Sequence, residues 1–296
     1  LVRRNSYVKG KEIALALGRS GRGVTISSAL RQLANMYEEK VSYRPRLVLN
    51  NYTGFETTAF LCKKSGKHGC AHIYWKLYKK KLLSEISSAF YLAGNYDFFV
   101  TTRKSSVDLK SIGLEISETT KFFDPIYTVP SGLNNPMEKC IRNFFNEEFV
   151  KKTLLRKTKQ SLNWDDVDWK IYRSTRENLR KPLKQVSRET GESFYIIKKR
   201  LNQIIIPSCT IANFFFPLGY DYYRKIFLQL DSEYENSIVK ALRKLPCTSY
   251  IYPLEKKFIC VLFHEGIKYV LLLTRKMEEK GLAKDILLSV PLASIF

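Results

Sequence analysis

Carboxylates and histidines are scarce in this sequence. Its 296 residues hold 28 Asp and Glu against 50 Lys and Arg, with three histidines. The resulting net charge of +22 is extreme for a folded protein and calls for a polyanionic partner, nucleic acid or an anionic membrane surface. Long apolar runs are absent: none approaches the ~20 residues needed to cross a bilayer. The opening LVRRNSYVKG has no hydrophobic region behind its charges. These absences predict a cytoplasmic, soluble protein with no membrane partner. The six cysteines, Cys62, Cys70, Cys140, Cys209, Cys247 and Cys260, are scattered and predict reduced thiols, not a disulfide framework. No Ser-His-Asp, Walker, Rossmann or paired-carboxylate pattern sits in a supporting strand-turn-helix context. The expectation is a protein that is not an enzyme and carries no cofactor.

What is present is core. A hydrophobic content of 45% over this length fills two domains or more. The positive excess runs along the whole chain and is densest in residues 1–50, at +7.

The stretch from Trp164 to Ile204 spaces its apolar residues as three short helices. Val167, Ile171 and Tyr172 form one inward face, Leu183 and Val186 the next, and Ile197, Leu201 and Ile204 the third. Gly191 marks a sharp turn, and Ser193 stands where the third helix needs an N-cap. That layout is a helix-turn-helix. Its third helix offers Tyr195, Lys198, Lys199 and Asn202 to solvent, a set suited to phosphates and base edges in a major groove.

The run Asp165-Asp166-Val167-Asp168-Trp169-Lys170-Ile171, followed by Leu183-Lys184-Gln185-Val186 and Gly191, resembles the start of Lrp/AsnC-type regulators. The resemblance implies a DNA-binding winged helix followed by a ferredoxin-like effector domain of the RAM type. The segment Lys9 to Met36 repeats the second and third helices, with Ile13, Ala14 and Leu17 facing Ile26, Leu30 and Leu33. The family's first helix has no counterpart ahead of it. Between the two faces lies GRSGRG, whose Arg19 and Arg22 suit phosphate contact beside a helix N-terminus. Thr25, Ser27, Ser28, Arg31 and Gln32 follow as a candidate reading face, since Arg and Gln make bidentate contacts to guanine and adenine. Residues 41–62 read as a strand and wing bearing Arg44 and Arg46.

A helix at 79–89, a hairpin at 91–102, a helix at 106–113 and a strand at 121–129 then give a β-α-β-β-α-β order, the ferredoxin-like arrangement. Gly94-Asn95-Tyr96-Asp97-Phe98 resembles the Gly-x-Tyr-Asp-Phe signature of RAM domains, which makes Gly94, Tyr96 and Asp97 candidate effector residues. Residues 136–163 read as a helical linker. Ser208 to Phe216 supplies a second wing strand, and a second ferredoxin-like unit closes the chain without the Gly-x-Tyr-Asp turn. The two copies are offset by about 165 to 171 residues.

The expected fold class is thus α+β, with two winged helix-turn-helix domains alternating with two ferredoxin-like βαββαβ domains. The expected boundaries are 1–50, 51–135, 136–163, 164–216 and 217–296. The expected function is sequence-specific binding of double-stranded DNA by a transcriptional regulator, possible modulation by a small-molecule effector included. Pairing is expected through the ferredoxin-like domains, as a homodimer or as an intrachain pseudo-dimer. Cys62, His68, Cys70 and His72 have the atom types of a zinc site, but their spacing matches no common one, and no metal is expected. Siroheme decarboxylases resemble the same family and hold a tetrapyrrole with histidine and arginine. This is the alternative reading, weighed against by three histidines and a dispersed charge.

Overall fold

The computed structural model describes residues 25–104 and 107–295. Its fold is mixed α+β, with helix-turn-helix elements alternating with two ferredoxin-like sheets. Helix α1 (Ile26–Glu38) is followed by strand β1 (Arg46–Leu49). The first sheet unit comprises β2 (Thr57–Lys64), α2 (Cys70–Leu82), β3 (Ser88–Gly94), β4 (Phe98–Thr102), a 3-10 turn (Lys110–Ile112) and β5 (Leu114–Phe122). A two-residue strand β6 (Ile126–Tyr127) and helix α3 (Met137–Phe145) lead to the helix-turn-helix α4 (Asp166–Thr175), α5 (Leu183–Thr190) and α6 (Phe194–Arg200). Strand β7 (Cys209–Ala212) precedes the second unit: β8 (Arg224–Asp231), α7 (Glu235–Leu242), β9 (Tyr250–Pro253), β10 (Phe258–His264), α8 (Ile267–Glu279) and β11 (Lys284–Ile295).

The helix-turn-helix follows from local chemistry. Asp165 accepts from the Asp168 N–H at 2.9 Å while the Asp168 carboxylate accepts from the Asp165 N–H at 3.3 Å, a reciprocal cap that starts α4. Gly191 ends α5 at φ +79°, and Ser193 caps α6 through the Ile196 N–H at 3.3 Å.

Each sheet unit has the ferredoxin-like strand order, β5-β2-β4-β3 and β11-β8-β10-β9, and β3 pairs with β11 to make one nine-stranded sheet. That sheet curls until β5, at one edge, meets β9 near the other. Phe122 bridges Leu254, and the Phe123 N–H donates to the Pro253 carbonyl at 2.9 Å. The curled interior is a core shared by both halves, with Leu61, Phe90 and Phe99 against Phe227, Tyr252 and Val261. The outer faces carry α2 on one half and α7 and α8 on the other. Both faces of the inner strands are therefore covered, which is why β4 and β10 are buried throughout instead of alternating.

Four expectations from sequence are corrected. The helix predicted at 79–89 runs instead over Cys70–Leu82, buried through Ile73 and Leu77, and residues 88–94 are strand. The lysines at its end masked the earlier apolar spacing. The helix predicted at 106–113 is a 3-10 turn over Lys110–Ile112, and Ser106 lies outside the described residues. The predicted strand 121–129 is β5, ending at Phe122, then a bend and β6. Neither predicted wing is a hairpin: β1 pairs antiparallel with β7, Arg46 opposite Ala212 and Leu49 opposite Cys209, so the two copies exchange strands within one chain. No helix among the described residues is long and apolar enough to cross a membrane.

Candidate functional site

Where the interior of the curled sheet opens beneath the β1–β7 ribbon there is a cavity of about 710 Å³, within the range of small-molecule sites. Eleven aromatic side chains line it, among them Phe99, Tyr127, Tyr250 and Tyr252 from the sheet and Trp169 and Tyr172 from α4. Burial pushes the phenols of Tyr127, Tyr250 and Tyr252 well above their usual range, so they present neutral hydroxyls. Among the described residues, no histidine, cysteine or methionine lines the space.

The charges are one-sided. Arg46, Lys81, Arg103, Lys104 and Arg176 line the cavity, and Glu177 is its single carboxylate. Glu177 lies 3.5 Å from both Arg46 and Arg176 and offsets part of that excess. Arg103 has no such partner among the described residues. Its guanidinium donates to the carbonyl of Leu49 and, at 3.4 Å, to that of Asn50, which locks it against the ribbon. Burial lowers its pKa, with smaller opposing effects from Tyr172 and Asp124. Lys81, in the last turn of α2, donates to the Ser87 carbonyl at 2.6 Å and also forms no ion pair among the described residues. Burial, and then the charge of Arg176, lower its pKa. A ring-walled space lined by five cations and one carboxylate, with Lys81 and Arg103 half-buried and outside any ion pair among the described residues, has the electrostatics of a site for a flat anion.

The candidate DNA residues fall in four groups, the last being Arg44 and Arg46, just before and at the start of β1. Arg19 and Arg22 lie outside the described residues. On α1 and its cap, Thr25, Ser27, Arg31 and Gln32 are exposed and Ser28 is half-buried, with Thr25 accepting from the Ser28 N–H at 3.1 Å. On α6, Tyr195, Lys198 and Lys199 are exposed, as is Asn202 just beyond it, and Ser193 is occupied as the cap. Arg44 is exposed, its guanidinium 6.0 Å from the Tyr37 ring centre. Arg46 stands at the cavity, half-buried beside Glu177, and not on an exposed wing.

Gly94, Tyr96 and Asp97 do not line the cavity. Asp97 accepts from the Lys64 N–H at 2.7 Å, and Gly94, at φ +151°, lets β11 pass: a Cβ there would lie 2.7 Å from the Leu288 carbonyl oxygen. Asp97 thus braces the turn and Gly94 the seam. The His68 and His72 rings stack at 4.9 Å, whereas Cys62 is buried in the core beneath α2. No group of three or more metal-ligating side chains converges among the described residues.

Sequence reasoning missed Lys81, Arg103, Lys104 and Arg176. Only Arg103 carried a signal, as a cation closing the apolar strand Phe98–Thr102.

No family model matches the sequence, and no curated protein is similar to it in sequence. The chain is similar to the crystal structure of the siroheme decarboxylase NirDL, with 10% identity and a TM-score of 0.45, over 92% of this chain and 82% of that one. The same protein in co-complex with an iron-uroporphyrin III analogue gives 9% identity and a TM-score of 0.40, over 92% and 83%. Both solved structures are of an enzyme, which stands against the expectation from sequence that this chain is not one.

Proposed function

We propose that the protein is an enzyme that takes a flat, conjugated polycarboxylate of tetrapyrrole type into the cavity and removes a carboxyl group from it. The observation that carries this reading is the half-buried Arg103, in no ion pair among the described residues, which lines with Lys81 and Arg176 a cavity walled by aromatic rings. Rings stack on a flat conjugated ligand, and the cations hold its carboxylates. Decarboxylation needs a dry wall beside the scissile bond and an acid. The C–C bond breaks, carbon dioxide leaves, and the electron pair left on carbon takes a proton from the Lys81 ammonium, which water restores. A lysine whose pKa is lowered gives up that proton more readily. With no histidine, cysteine or methionine on the lining, the grip falls on the carboxylates and not on a bound metal.

The test is a fluorescence titration with uroporphyrin III, followed by mass spectrometry of the product for loss of carbon dioxide. Saturable binding is expected, weakened at least ~10-fold in Arg103→Met. Affinity is expected to fall as pH rises through the lowered pKa of Lys81, before the ordinary lysine range, because the uncharged amine no longer pairs with a carboxylate. An unaltered affinity in Arg103→Met, or no binding by the native protein, overturns the reading.

A second reading, a regulator that binds double-stranded DNA, is favoured by the exposure of Arg31 and Gln32 on α1 together with Tyr195, Lys198 and Lys199 on α6. Gel shifts on selected duplexes test it. A reader predicts that Arg31→Ala weakens selected sites more than random ones, with a salt slope of about −0.9 per phosphate contacted.

A further inference from the structure

Between Thr57 and Ser84 the chain has seven lysines and no Asp or Glu. Within this span, α2 buries Ile73 and Leu77 and turns a second apolar line outward. Ala71, Trp75, Tyr78 and Leu82 recur at steps of four, three and four, one ridge along the helix. Trp75 is 62% exposed, Tyr78 40%, Leu82 67% and the adjacent Leu83 68%. Trp75 and Tyr78 meet edge to face at 5.6 Å, partly covering one another. Lys76 and Lys79 flank the ridge and form no ion pair among the described residues.

The other half of the molecule has what this helix lacks. Its equivalent, α7, is overlaid by α3, which packs Met137, Cys140, Ile141 and Phe144 onto Ile238, Val239 and Leu242. The chain after α3 then crosses the start of α7: the Asn236 N–H donates to the Lys152 carbonyl at 3.0 Å. That overlay is basic where the helix start is acidic, with Lys151 on Glu233 at 2.7 Å and Arg156 on Glu235 at 2.5 Å. No overlay covers the ridge of α2 among the described residues. The helix there is basic, as the far end of α7 is, where Lys240 and Lys244 meet Glu147 of the overlay at 3.4 and 2.8 Å, so its cover must be acidic.

We propose that the Trp75-Tyr78-Leu82 ridge of α2 docks an acidic amphipathic helix of a partner protein, seated as α3 is seated on the other half. Apolar residues at i, i+3, i+4 and i+7 fill the space beside the ridge, and glutamates or aspartates on the flanks meet Lys76 and Lys79. A second copy of this chain is a poor occupant, because joining ridge to ridge would set lysine against lysine.

The probe is a fluorescent synthetic helix with leucine at i, i+3, i+4 and i+7 and glutamate on its flanks, titrated against the full protein by anisotropy. A peptide of the same composition with scrambled spacing serves as control. Binding is expected, weaker at least ~10-fold for the scrambled peptide and for Trp75→Ala or Leu82→Ala, and weakened also by Lys76→Glu with Lys79→Glu. These side chains are exposed, and circular dichroism of each variant checks that the fold is kept. Equal binding of the scrambled peptide, unchanged binding by Trp75→Ala, or no binding at all overturns the proposal. So does Trp75-dependent binding to phosphatidylglycerol vesicles with none to the peptide, which would make the occupant a lipid surface.

Discussion

The two halves share a fold and differ in what they do with it. The second half is closed: α3 and the chain behind it cover its helices, and a buried ion pair bolts that cover down. The first half is open, with a bare helix outside and the unpaired cations Lys81 and Arg103 facing the cavity. Duplication supplies a second sheet whose job is support. Because the two sheets join edge to edge through β3 and β11, the closed half supplies one wall of the cavity while the open half supplies four of its five cations, Arg46, Lys81, Arg103 and Lys104. A rigid wall holds Lys81 and Arg103 in place with a single carboxylate, Glu177, on the lining, and so keeps them available to a ligand.

The sharpest break in that comparison is at Arg156. Its guanidinium holds the Glu235 carboxylate, 1% exposed, at 2.5 and 2.7 Å and donates to the Leu254 carbonyl at 2.5 Å. Arg156→Ala strands a buried carboxylate and is expected to cost about 3–5 kcal/mol in urea unfolding. Replacing both partners by apolar residues, Arg156→Met with Glu235→Leu, is expected to recover most of the loss. Failure to recover would mean that the pair carries more than its own charges.

The next break is at the seam. Gly94→Ala places a methyl group 2.5 Å from the Ser289 hydroxyl oxygen and 2.9 Å from its Cα, in a backbone conformation that L-residues avoid. Roughly 1–3 kcal/mol of destabilisation is expected, with faster hydrogen exchange concentrated in β3 and β11. Exchange that rises evenly across both halves would deny the seam its separate role.

Much of this fold was legible in the chain. The spacing of Val167, Ile171 and Val186, with Gly191 and Ser193, located the helix-turn-helix because caps and turns act over a few residues. Pairings across the chain were not legible. Nothing in Arg46-Leu47-Val48-Leu49 announces that its partner lies at Cys209–Ala212, and reading a local wing there gave no sign that Arg46 lines the cavity. The cavity was hidden for the same reason: Lys81, Arg103 and Arg176 meet only when three distant elements pack together. A lysine in a basic helix looks solvated until its burial is known.

The smallest expected effect separates the helix-turn-helix from the sheets. Hydrogen bonds from Lys181, Ser174 and Gln185 hold the Glu189 carboxyl down at about 2 and tie α4 to α5 across the surface. Because the folded value lies below the ordinary 4.5, the stabilisation is fully present above that value and is lost as pH falls toward about 2. The carboxylate is at the surface, so salt screens part of the effect. Trp164 and Trp169, packed 4.9 Å apart beside this unit, report on it by fluorescence. Their signal is expected to change over that acid window in the native protein, and less in Glu189→Gln, while the circular dichroism of the sheets holds. A tryptophan transition that coincides with loss of the sheets, and is unmoved by the substitution, would show that the helix-turn-helix has no stability of its own to lose.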